Sequence, residues 1–99
     1  MIRGTTPTLE FVLPFETSNL TEAFVTLAQG GEVLIDKSLS DCKCDSELLT
    51  VRLTQEDTLK LHAKLNTEIQ IRAKTISGDA VASNIFVVAT EKILKDGVI

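Results

Sequence analysis

Thr21-Glu22-Ala23-Phe24-Val25-Thr26-Leu27-Ala28-Gln29, then Gly30-Gly31, then Glu32-Val33-Leu34-Ile35-Asp36-Lys37-Ser38-Leu39 is the stretch on which the fold turns. Ala23, Val25 and Leu27 alternate with Glu22, Phe24 and Thr26, a period of two that sends alternate side chains to opposite faces of a strand. Two adjacent glycines between such runs can both take positive φ, as a tight primed hairpin turn requires. The spacing therefore predicts a hairpin. Its return strand runs over Glu32–Leu39, with Val33, Ile35 and Leu39 inward and Asp36 and Ser38 outward.

The same period appears on both sides of this hairpin. Upstream, residues 8–13 place Leu9, Phe11 and Leu13 on one face, and Pro14, which cannot donate to a ladder, closes the run. The polar residues within 15–20 suit a loop. Downstream, Cys42 and Cys44 share a face if a strand continues after a kink. Asp45-Ser46 makes a turn, and Leu49, Val51 and Leu53 build the next strand. Thr54 followed three residues later by Asp57 is close to a capping box, which predicts one helical turn over residues 55–60. Glu68 to Thr75 alternates again, with Ile69, Ile71 and Ala73 inward. Ser77-Gly78-Asp79 is a turn, and residues 80–90 read as one last long strand. The sum is all-β: an antiparallel β-sandwich of about seven strands in a single domain, residues 1–99.

Composition agrees and narrows the function. Val, Ile and Thr number 8, 8 and 12 of 99 residues, so β-branched residues favour strand over helix. Apolar runs of four or five residues are far short of the roughly 18 needed to cross a bilayer, and no signal-peptide pattern is visible. The expectation is no membrane partner. A net charge of −4 argues against nucleic acid, whose affinity rests on Lys and Arg. With no Trp, no Tyr and four Phe, the chain also lacks the stacking platforms of single-strand nucleic-acid binders and of many glycan sites. Protein contacts through aliphatic residues or sheet edges remain.

Residues that could carry chemistry have plain structural readings. Cys42 and Cys44 supply two thiolates where a closed zinc site needs four ligands, and His62 is the only imidazole. The flanking Asp41 and Asp45 oppose a lowered thiol pKa. Buried strand thiols are expected, with a redox or metal-chaperone role as the weaker reading. Glu32, Asp36, Asp41, Asp45 and Glu47 lack calcium-loop spacing and are interrupted by Lys37 and Lys43, which reads as a solvated charged loop. No nucleophile motif surrounds His62. No enzymatic activity and no cofactor are expected. The apolar tail is the residual feature: Ile93, Leu94, Val98 and Ile99, in residues 93–99, are candidate partner-docking residues, or else add an edge strand to their own sandwich.

Three stretches carry a resemblance. Met1-Ile2-Arg3-Gly4-Thr5-Thr6-Pro7-Thr8, the run Leu53-Thr54-Gln55-Glu56-Asp57-Thr58-Leu59 before the Gln70-Ile71-Arg72 strand, and Leu94-Lys95-Asp96-Gly97-Val98 together resemble small proteins encoded near tail genes in phages and prophages of Firmicutes. More loosely, the chain is similar to the immunoglobulin-like N-terminal domain of baseplate upper proteins from phages of Gram-positive bacteria. The resemblance implies an immunoglobulin-like sandwich and a structural or assembly role in a phage tail or baseplate. It further implies other phage structural proteins or further copies of the chain as partners, and a virion location after synthesis in the host cytoplasm. The family has no catalytic motif to transfer. The alternative from another class is a freestanding binding module for a small ligand, a glycan or calcium.

Overall fold

A computed structural model describes residues 1–99. The strands are β1 (Thr8–Val12), β2 (Leu20–Gln29), β3 (Glu32–Ser38), β4 (Lys43–Asp45), β5 (Leu48–Arg52), β6 (Thr67–Thr75), β7 (Ala80–Ala82) and β8 (Phe86–Val88), with one α-helical turn, α1 (Gln55–Leu59), and two 3-10 turns at Thr17–Asn19 and Leu39–Asp41. They form two antiparallel sheets: β1-β5-β4, and β3-β2-β6 with β7 and β8 both on β6. In immunoglobulin lettering these orders read B-E-D and C′-C-F-G, so the strand that would flank B has no counterpart in this chain.

The inward rows predicted from the period of two meet between the sheets. Val25 and Leu27 of β2 lie opposite Ile71 and Ile69 of β6 and face Leu49 and Val51 of β5; all six are buried in a core of 13 apolar residues. Gly30 and Gly31 make the two-residue turn between β2 and β3 with φ of 56° and 81°. At this same end of β2 the buried Gln29 closes the sandwich. Its Oε1 accepts from the His62 backbone N–H at 2.7 Å, and its Nε2 donates to His62 O at 3.0 Å and Thr67 Oγ1 at 3.2 Å. A buried amide held this way leaves no polar group unpaired.

Two expectations require correction, both because of an extra residue in a ladder. Val33 is 58% exposed, not inward. Leu27 pairs with Ile35 but Ala28 pairs with Val33, so Leu34 bulges and the parity of β3 reverses beyond it. The last strand is likewise two pieces. β7 pairs in one register (Ala82 with Arg72) and β8 in a register shifted by one residue (Phe86 with Ile69). Between them Ser83 Oγ, rather than a backbone carbonyl, accepts from Ile71 N–H at 3.1 Å. Counted as one interrupted strand, β7 and β8 give the expected seven; counted separately, the strands are eight.

α1 lies where the hydroxyl and carboxylate spacing put it. Thr54 Oγ1 accepts from Asp57 N–H at 3.1 Å, and the Asp57 carboxylate accepts from Thr54 N–H at 2.9 Å. The same carboxylate pairs with Lys37 Nζ of β3 at 2.8 Å, which ties the helical turn to the other sheet. Burial alone raises the Asp57 carboxyl. The hydrogen bonds from Lys37 and Thr54, with the Lys37 charge, outweigh it and hold the group below its usual range. A carboxyl more acidic when folded stabilises above the unfolded chain's titration range and loses that contribution as pH falls through the folded one. Asp57→Ala is expected to cost about 1–3 kcal/mol at neutral pH. It should also flatten the loss of stability below about pH 4, measured by urea unfolding across pH.

Candidate functional site

Each sheet has two edges, and three of the four are obstructed. β3 carries the Leu34 bulge and the charges of Asp36 and Lys37. β4 is three residues long and bears Lys43 and Asp45. The β7–β8 edge is broken by the register shift at residues 83–85. Short length, charge and bulges are the usual means by which sheet edges are kept from pairing with another chain. β1 has neither a bulge nor a break, and its one charged residue is Glu10. Its five residues pair with β5 in unbroken register, from Thr8 with Arg52 to Val12 with Leu48.

The outer edge of β1 presents a defined set of backbone groups. Leu13 N–H donates to Glu47 O at 2.9 Å, and Leu53 N–H donates to Pro7 O at 2.9 Å. These bonds bracket the ladder, so odd-numbered residues of β1 bond to β5 and the N–H and C=O of Thr8, Glu10 and Val12 point away from it. Pro14, with no N–H, ends this open edge.

Beside the edge lies an apolar cleft of about 580 Å³, between β1 and the β7–β8 edge of the opposite sheet. Leu9, Phe11 and Phe15 line one wall; Val81, Phe86 and Val88 line the other, with Ile69 and Ile71 at its base. Glu10 is the sole ionisable residue among those that line it. Phe86 is 50% exposed and Val12 81%, which leaves large apolar surface at the mouth. The period of two identified Leu9 and Phe11 as inward residues. It carried no signal that the opposite sheet would leave them half covered.

The predicted tail residues divide. Ile93 turns back onto its own domain, half-buried against Gly4 and Leu59; a Cβ at Gly4 would lie 2.8 Å from Ile93 Cδ1, and Gly4 has φ of 75°. Arg3 pairs with Asp96 at 3.1 Å, and Gln55 exchanges two hydrogen bonds with the backbone of Ile99. Leu94 and Ile99 project their side chains outward, 97% and 93% exposed, and Val98 is exposed as well. No strand forms over residues 92–99; a single parallel bridge joins Ile2 to Glu91 just before them.

Cysteine burial is a correction. Cys42 is half-buried and donates to Ser38 O at 3.3 Å, whereas Cys44 is exposed, because the short β4 lies at the sheet edge beyond the cover of the core. Burial, then the neighbouring Cys44 and Asp41, pushes the Cys42 thiol up to about 11. The acidic residues are dispersed: Asp36 accepts from Thr26 Oγ1, Asp41 caps the turn at 39–41, and no group of three or more His, Cys, Asp and Glu assembles. His62 lies exposed in the loop after α1. No family model, curated protein or solved structure matches the chain. No helix is long and apolar enough to cross a membrane.

Two measurements test these placements. Gly4→Ala is expected to destabilise by about 1–2 kcal/mol, from the left-handed backbone and the displaced Ile93, as read by chemical denaturation. At neutral pH, iodoacetamide is expected to modify Cys44 at least roughly tenfold faster than Cys42, since the thiolate is the nucleophile and Cys42 stays protonated. Peptide mass spectrometry of timed samples measures the ratio.

Proposed function

We propose that the chain is a non-enzymatic structural or assembly component of a phage tail or baseplate, acting through protein–protein contacts. The observation that carries the contact reading is the open β1 edge beside an apolar cleft. Backbone groups and apolar side chains are offered together there, and they are what an added chain uses in strand addition. The exposed Leu94, Val98 and Ile99 supply a second apolar patch on a segment pinned at Asp96 and Ile99. The assignment to a tail rests on the resemblance of the residue 1–8, 53–59 and 94–98 stretches to proteins encoded near tail genes, and it implies a virion location and other phage proteins or further copies as partners.

One observation favours a second reading. A cleft of about 580 Å³ falls within the size range of small-molecule pockets, roughly 300–1,000 Å³, which suits a freestanding module that binds a small apolar ligand. That reading expects a monomer whose melting temperature rises with ligand. No rise across a panel of apolar small molecules removes it.

The tail role is tested by mass spectrometry of purified phage particles. The chain is expected in fixed proportion to known tail subunits, and its absence from particles while abundant in cells would sink the assignment to the virion. Leu94→Asp with Ile99→Asp is expected to lower incorporation by at least about tenfold, since each change removes an apolar side chain from any docked surface. Unchanged incorporation would remove the tail residues from the contact.

A further inference from the structure

We infer that the β1 edge and its cleft form a strand-addition site for an extended segment of another protein, one that is apolar at alternate positions and carries Lys or Arg opposite Glu10. The inference rests on the protein-contact reading above and names the chemistry of the partner.

Three features select an extended polypeptide as the occupant. First, the wall of the cleft formed by β1 presents three N–H donors and three C=O acceptors, those of Thr8, Glu10 and Val12, in the regular spacing of a ladder. A compact apolar molecule seated over this edge would strip water from these groups and return no hydrogen bonds, an unfavourable exchange. A strand bonds every one of them. Second, the side chains of a strand alternate. Residues opposite Leu9 and Phe11 point into the cleft between Phe15 and Phe86, while the residue between them points to the outer face beside Glu10. The cleft therefore reads an apolar–X–apolar triplet. Third, β1 occupies the B position of its sheet, and the order B-E-D leaves room beside it for one more strand.

Charge identifies the middle residue and separates a foreign partner from a second copy. Glu10 is exposed on the outer face, and an opposite charge directly across an antiparallel pair is favourable while a like charge is not. A second copy pairing β1 with β1 over its full five residues sets Glu10 against Glu10. Sliding by two residues relieves the repulsion but keeps only three of the five pairs. The edge is thus poorly matched to itself and well matched to an apolar–cation–apolar segment. The chain's net charge of −4 adds to the attraction for such a partner.

The test uses the full chain and a defined probe, the peptide acetyl-Ser-Thr-Val-Lys-Val-Thr-Ser-amide, with a control in which Glu replaces the Lys. Titration is followed by amide and methyl chemical shifts. The Lys peptide is expected to shift the amides of Thr8, Glu10 and Val12 and the methyls of Val81 and Val88. It should bind roughly threefold tighter than the Glu peptide, the size of one exposed ion pair. Glu10→Lys is expected to reverse that preference without loss of fold. Val12→Pro deletes one outward N–H while sparing the β1–β5 bonds, and is expected to abolish binding of both peptides. The inference is overturned by shifts that avoid β1, by equal affinity for both peptides in the wild type and in Glu10→Lys, or by sedimentation of the chain alone as a dimer that Val12→Pro dissociates. If the peptides fail while the chain is present in particles at fixed ratio, strand addition falls and the tail role stands.

Discussion

The register between β2 and β6 is the constraint from which the rest of the molecule follows. Ala23, Val25 and Leu27 lie opposite Ala73, Ile71 and Ile69, so two long strands present one continuous apolar row to the core. A slip of one residue would turn that row to solvent. With it in place, β5 has a surface on which to bury Leu49, Val51 and Leu53, and Gln29 is carried to the point where it can bond the loop at His62 and the hydroxyl of Thr67. The Lys37–Asp57 pair then joins β3 to the helical turn that crosses between the sheets.

That central pair has to end somewhere on each side, and the way it ends determines where the protein can meet others. At β3 an extra residue at Leu34 twists the edge. At β7–β8 the register shift and the Ser83 hydroxyl break the ladder. Both devices act on the larger sheet. In the smaller sheet β4 is short and charged, and β1 alone stays regular, half-covered and flanked by Pro7 and Pro14. An open edge next to an apolar cleft is an aggregation hazard in a protein with no use for it. Its presence beside three protected edges is the physical basis for reading it as a contact surface.

The bulges explain most of what a linear reading missed. Leu34 carries no sequence mark that separates it from an ordinary strand residue, and neither do Ser83, Asn84 and Ile85. A strand's parity is a long-range property: it depends on which partner residue each backbone group meets, and one insertion reverses every side chain beyond it. The alternation that puts Val33 inward holds only up to the point where the ladder changes at Leu34. The spacing of Cys42 and Cys44 gives them a shared face but not whether anything covers it, and Cys44 is exposed.

Local chemistry in the chain determined the hairpin at Gly30-Gly31, the capping of α1 by Thr54 and Asp57, the inward rows of β1, β2, β5 and β6, and hence the all-β class. Each depends on residues within a few positions of one another, through φ preference, side-chain-to-backbone hydrogen bonding or the period of two. The tertiary structure alone decided which strands are edges, where the ladders bulge, that Ile93 folds back on Gly4 while Leu94 and Ile99 point away, and that β1 borders an uncovered cleft. Those features depend on strands distant in sequence. Whether an apolar side chain is buried, half-covered or offered to a partner is fixed by what the opposite sheet brings to it, and no local pattern records that.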